Sequence, residues 1–187
     1  MKSTRFVFGR ALAVLCALLF VSFGFMSCQQ EDDDNGLPDG VYELSDNSAL
    51  IGTWVNSYSG GTSVYKITSS TFDNSGTSNY NGTTSTYDSY AGNNLLVSYT
   101  NDEETSGYIY IKYTRAMNPD YSYSETAPDV GKWYAIAFKN LTSSSLSLSG
   151  AYNAASGKTS AETLEDAIST FTIAKGYFSY YSECVKQ

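Results

Sequence analysis

The chain has 187 residues, with nineteen Asp and Glu against eleven Lys and Arg, a net charge of −8, and no histidine. That balance repels nucleic acid at long range and excludes it as a partner. The missing imidazole removes Ser-His-Asp and Cys-His catalysis and histidine-built zinc sites, so no enzyme activity, catalytic residue or metal site is expected.

The first segment is a secretory signal over residues 1–27. Lys2, Arg5 and Arg10 form a basic head, and Ala11 to Phe25 is almost wholly apolar. This stretch is shorter than the ~20 residues a helix needs to cross a bilayer; the competing reading is an uncut signal-anchor. Phe25-Met26-Ser27-Cys28 resembles the lipobox of bacterial lipoproteins, with a small residue before the cysteine. The resemblance implies a diacylglyceryl group on Cys28, which becomes the N-terminus, and a place in the bacterial cell envelope, in the periplasm or on the surface. Each buried CH₂ contributes ~0.8 kcal/mol, so two or three acyl chains anchor firmly. Removing 27 residues with three basic groups and no acid leaves 160 residues at −11. Cys16 leaves with the signal and Cys28 is acylated. Cys184 is then alone, without an intramolecular disulfide, and reads as an inert buried thiol.

Residues 28–48 begin Cys-Gln-Gln-Glu-Asp-Asp-Asp-Asn-Gly and bury little, which predicts a disordered acidic tether. The run Glu31 to Asp34 reads as a solvated spacer, with a calcium site or sorting signal as the alternatives. Residues 49–187 are rich in Tyr, Ser, Thr and Gly and form one domain.

The domain is patterned in period two. Leu95, Val97 and Tyr99 alternate with Asn94, Leu96, Ser98 and Thr100, and Leu146 and Leu148 alternate with serines. Ile109, Ile111 and Tyr113 share one face, and Tyr108, Tyr110 and Lys112 the other. Such alternation predicts half-buried antiparallel strands near 51–58, 62–69, 70–73, 78–81, 84–90, 94–101, 107–115, 131–139, 143–150 and 175–182, with the shortest merging. Turns are expected at Ser59-Gly60-Gly61, Asp73-Asn74-Ser75-Gly76, Asn81-Gly82 and Gly92-Asn93-Asn94. Glycine loops lying between strands in this way cradle no phosphate, and no cofactor is expected. Sequential short strands joined by hairpins predict an all-β, antiparallel up-and-down barrel of about eight strands. Leu164, Ala167, Ile168 and Phe171 fall on one helical face, capped by Thr163 or Thr159, so a short C-terminal helix is expected to pack on the barrel.

Several segments together carry a family resemblance. Gly52-Thr53-Trp54, Tyr65 to Phe72, Trp133 to Thr142, the Thr163-Leu-Glu-Asp-Ala167 helix and the tyrosine-rich end resemble the lipocalin-like lipoproteins of treponemes. The resemblance covers roughly residues 51–186. It implies a lipocalin-like barrel on a lipid anchor and no settled activity.

Asp102-Glu103-Glu104 and Asp120, Glu125 and Asp129 read as solvated loop acids, with an oxygen-ligand calcium site the alternative. Two functional readings remain open. In one, the barrel holds a small apolar or amphipathic molecule in a pocket lined by Trp54, Tyr65, Tyr99 and Tyr113, with the loop from Ala116 to Val130 over its mouth. In the other, there is no small-molecule ligand, and outer tyrosines and loops meet host or envelope protein partners. In both, the membrane is reached through the lipid. Cys28→Ala is expected to leave an unprocessed precursor that incorporates no labelled palmitate; palmitate entering the variant would rule out lipidation at Cys28.

Overall fold

The computed structural model describes residues 36–187; the signal, Cys28 and the acidic run Glu31 to Asp34 lie outside the described residues. Eight strands form a closed antiparallel barrel: β2 (Gly52–Tyr58), β3 (Gly61–Ile67), β4 (Phe72–Tyr80), β5 (Thr83–Tyr99), β6 (Gly107–Met117), β8 (Trp133–Lys139), β9 (Ser145–Gly150) and β10 (Ser182–Lys186). Each pairs with the next in sequence, and β10 returns to β2, so the sheet has no long free edge. Two two-residue strands, β1 (Tyr42–Glu43) and β7 (Tyr123–Ser124), are added on β5 and β6.

The hairpin chemistry is local. Asn81 and Gly82 both take positive φ, 50° and 79°, as a type I′ turn between β4 and β5 requires. Two other expected turns are corrected. Asp73 to Gly76 runs inside β4, where the register slips at Asn74, and Gly92-Asn93-Asn94 runs inside β5. At the second site Asn94 takes φ 51° and two residues of β5 oppose one of β6, a bulge that bends the strand without reversing it. The bend lets one 17-residue strand pair with β4 up to Gly92 and with β6 from Ala91 onward. Arg115 and Asp73 both register opposite Ala91, and their side chains form an ion pair across it at 2.9 Å.

The boundary of the tether is also corrected. Residues 37–48, expected within the tether, belong to the same compact unit as the barrel. Val41 and Leu44 are buried, and Tyr42 and Glu43 pair with Val97 and Leu96 on the edge that β4 leaves open beyond Gly92. The end of the barrel where this segment lies also carries the loops 100–106 and 140–144. The opposite, far end carries the turns after β2 and β4, the loop 118–132 and the segment 151–181.

Register assigns the inner face. Trp54, Tyr65, Ile67, Phe72, Val97, Ile109, Ile111, Tyr134, Ile136, Phe138, Leu146 and Leu148 face inward and are buried. Tyr110, on the outer face, is buried as well, as are Ala135, Ala137, Ser147 and Ser149. Their cover includes the segment before β10. The strand expected near 175–182 is coil up to Tyr181, because Tyr177 packs on Phe171 while the next residue, Phe178, packs on Tyr108. Two consecutive rings aimed at different surfaces are incompatible with one-faced alternation. The helix α1 (Leu164–Thr170) forms as expected, with the Thr163 hydroxyl accepting from the Asp166 N–H at 3.1 Å and Leu164, Ala167 and Phe171 buried.

Ile111 is fully buried among inward side chains, so Ile111→Ala is expected to cost about 2–5 kcal/mol in urea unfolding. Val185→Ala, 61% exposed on the outside, should change stability by less than about 0.5 kcal/mol. Equal effects would show that the faces are assigned wrongly.

Candidate functional site

Three surfaces hold aromatic and polar side chains in number: the barrel interior, a groove at the end where the chain enters the domain, and an overhanging sheet at the far end.

Inside, rings pack on rings. Phe72 stacks on Tyr90 at 5.7 Å, Tyr90 meets Tyr134 edge-on at 5.3 Å, and Tyr134 stacks on Tyr113 at 4.8 Å. Phe171 closes this group from the helix, 6.1 Å from Tyr134. The room comes from inward glycines. A methyl group added at Gly150 would lie 2.5 Å from the Tyr134 hydroxyl, and one at Gly92 would lie 2.8 Å from Ile111. At Gly107 it would overlap the Ser98 carbonyl oxygen and approach Phe138 to 2.9 Å.

Of the four rings expected to line one pocket, three come together and Tyr99 lies apart: Trp54 registers opposite Tyr65, which lies 6.1 Å from Phe72 in the ring cluster that includes Tyr113. Trp54 is fully buried, and its indole N–H donates to the Leu50 carbonyl at 2.8 Å. The Tyr65 and Ser182 hydroxyls share a hydrogen bond of 2.9 Å. Tyr113 stacks on Tyr134, and its hydroxyl donates to the Thr159 carbonyl at 3.4 Å. These three therefore sit in packed core with their polar atoms satisfied, as buried tyrosines and tryptophans require. Tyr99 lies at the opposite end from Tyr113, half-buried and edge-on to Phe138 at 6.1 Å. The loop Ala116 to Val130, expected over a pocket mouth, folds back on β6 through β7 and buries Ala127.

Tyr99 belongs to the second surface. A groove of about 550 Å³ lies between it and Gly40, Tyr42, Glu43, Asp102 and Glu104, and a smaller one of about 310 Å³ adjoins it beside Ser48, Glu103 and Leu141. Burial raises the Tyr99 hydroxyl pKa against the opposing hydrogen bond from Ser48. The acids Asp102, Glu103 and Glu104 are exposed here. Among the other loop acids, Asp120 accepts from the Ser122 hydroxyl at 2.6 Å and Asp129 from the Thr159 hydroxyl at 2.6 Å. Cys184 is buried, with its thiol pushed up to about 12 by burial and then by Glu183, so it is protonated at neutral pH.

The third surface was not legible as a site in the sequence. Beyond the last residues that β10 pairs with on β2, the strands β2 to β5 continue as two hairpins that overhang the far end. On their inner face Asn56, Ser63, Gly76 and Tyr87 register side by side, next to a second row of Tyr58, Gly61, Ser78 and Ser85. Gly76 carries no side chain, so the Tyr87 ring lies across it and its hydroxyl reaches the Ser63 hydroxyl at 3.2 Å and the Thr62 carbonyl at 3.3 Å. Tyr58 lies against Gly60, and its hydroxyl pKa is raised first by its hydrogen bond with Tyr87 and then by burial. Ser78 and Ser85 share a hydroxyl bond of 3.0 Å. Residues 52–65 and 74–87 contain no charged side chain.

The fold thus defines the class, a closed eight-stranded antiparallel barrel with its interior occupied by its own rings. No protein-family model, curated protein or solved structure matches the chain.

The packed rings generate a pH signature. Burial, reinforced by neighbouring phenols, holds the hydroxyls of Tyr90 and Tyr113 well above the ordinary value of 10.0 and raises that of Tyr134 as well. The unfolded chain therefore loses its tyrosine protons first, and folding favours the protonated rings. This contribution is complete below about pH 10 and is lost as pH climbs toward the native values. The urea midpoint is expected to be insensitive to these groups near neutrality and to fall above about pH 10, with their tyrosinate absorbance appearing only as the protein unfolds. Ionisation of these rings at the ordinary value in the folded protein would show that they are solvated.

Proposed function

We propose that the protein is a lipid-anchored lipoprotein of the bacterial envelope, built like the lipocalin-like lipoproteins it resembles, that works as a recognition module and carries no small molecule in its barrel. The observation that carries this reading is the packing of Trp54, Tyr65 and Tyr113, whose polar atoms are bonded to Leu50, Ser182 and Thr159. Rings committed to the core leave the exterior as the working surface.

Topology supports the orientation. The chain enters the domain through the segment from Leu37. An anchor at Cys28 stands nine residues before Leu37, a contour of about 30 Å at most. Large exposed rings gather at the far end: Tyr58 and Tyr80 at hairpin turns, Tyr121 and Tyr123 in the loop after β6, and Tyr152 after β9. Tyrosines with Ser, Gly and Asn around them supply rigid contact area with adaptable hydrogen bonding. The competing reading, a carried ligand, keeps the groove beside Tyr42 and Tyr99 as its place.

Native mass spectrometry of the mature lipidated protein, purified gently, tests the choice. The expected mass is that of the acylated polypeptide alone. A stoichiometric small molecule retained through purification and lost on unfolding would overturn the recognition reading in favour of a carrier.

A further inference from the structure

The overhanging hairpins carry a surface with a specific chemistry. Two tyrosine side chains stand on their inner face: Tyr87 reaches over Gly76 to the Ser63 hydroxyl, and Tyr58 lies beside Gly60, close enough to Tyr87 that it raises the Tyr58 hydroxyl pKa. Tyr58 is 47% exposed and Tyr80, at the tip of the same face, 79%. Around the rings stand the Asn56 amide, which donates one N–H to the Glu183 carbonyl and keeps a second N–H and its oxygen, and the hydroxyls of Ser63, Ser78 and Ser85, each with bonding capacity left beyond its contact with Tyr87 or with its neighbour.

The charges of this protein avoid the face. The chain carries thirty formal charges, yet residues 52–65 and 74–87 hold none. Lys66 and Asp73 register opposite each other on the outer side, and Asp88 lies opposite Ser75 on that side too. An uncharged face gives no grip on phosphate, carboxylate or ammonium groups, and the absence of cations here, with the net −8, disfavours the nucleobases that such a platform could also stack. A neutral ligand that is apolar on its flat faces and dense in hydroxyls around its rim matches both features. Sugar rings have that form, with C–H groups on the face and O–H groups at the edge.

We propose that the inner face of the β2–β5 overhang binds neutral carbohydrate chains, with Tyr58 and Tyr87 as stacking platforms and Asn56, Ser63, Ser78 and Ser85 as hydroxyl partners. This rests on the reading of the protein as a recognition module and names its partner class. The face is an open sheet, so it suits an extended chain and not an enclosed monosaccharide. A protein partner would find here tyrosine but no arginine or tryptophan, the other two residues enriched at the centres of protein interfaces.

The full mature lipoprotein in detergent is applied to an array of neutral and acidic glycans, with proline-rich peptides alongside, and hits are titrated by calorimetry. Binding is expected for neutral glycans and not for acidic ones. Tyr58→Ala and Tyr87→Ala should each weaken it about five- to tenfold, whereas Tyr87→Phe, which keeps the ring, should weaken it less. Val185→Ala, at an exposed side chain on the outer face, should leave it unchanged. Thermal melting checks each variant, and for one that fails to fold, Ser85→Tyr takes its place, because a ring set into the hydroxyl row should block the platform. Binding that survives in every folded platform variant overturns the site. Binding of the peptides alone, or of no glycan, overturns the ligand class. If native mass spectrometry also finds the barrel empty, the recognition reading survives that failure; a retained small molecule removes both.

Discussion

The architecture depends on a steric exchange between inward glycines and the large side chains beside them. An eight-stranded barrel encloses about enough space to be filled by its own side chains or to hold one small ligand. Here the balance goes to filling, because Gly92, Gly107 and Gly150 each omit a side chain where Ile111, Phe138 and Tyr134 need the volume. Glycine within a strand weakens it through lost entropy and packing, and a large ring lying over the glycine recovers both contact area and cover for its backbone. The same exchange recurs at Gly76 and Tyr87, outside the core, where it makes room for a ring on the inner face of the overhang. One device therefore closes the interior and builds the far-end platform.

Strand β5 couples the two regions. Its first half belongs to the overhang and its second half to the closed barrel, with the bulge at Asn94 beside the point where its pairing passes from β4 to β6. Arg115 donates to the Ser89 carbonyl and pairs with Asp73, tying β4, β5 and β6 together at this junction. The long strand leaves an unpaired edge past Gly92, and the segment carrying Val41 and Leu44 covers it. An exposed strand edge invites association with other chains, so this cover has a value beyond the two residue pairs it forms.

Much of this was legible in the residues. Period-two alternation identified the strands and placed Ile109, Ile111 and Leu148 inward, and the spacing of Leu164, Ala167 and Phe171 identified the helix. What failed was non-local. Gly92-Asn93-Asn94 has the composition of a turn, and only the pairing of β5 with two partners makes it a bulge. Residues 37–48 look like tether because a few apolar side chains, Leu37, Val41 and Leu44, anchor the segment among polar neighbours. Trp54, Tyr65 and Tyr113 were correctly phased to the interior, but whether a ring lines a void or fills it depends on neighbours brought in from other strands. Tyr58 and Tyr87 are 29 residues apart and meet only because β3 and β4 bring Ser63 and Gly76 between them.

The short strand β1 has a mechanical consequence for a chain held by its N-terminus. If the chain is held by its N-terminus, tension reaches this segment before it reaches any barrel strand, and the segment around β1 is secured by two residue pairs and the apolar side chains of Leu37, Val41 and Leu44. Such a seam yields at low load. Its release would pay out residues 37–48, about 40 Å of extended chain, before force arrives at the fully buried Leu50. The barrel would then sit on a spring-loaded leash: a domain pulled by a bound partner would lengthen its attachment first and keep its fold.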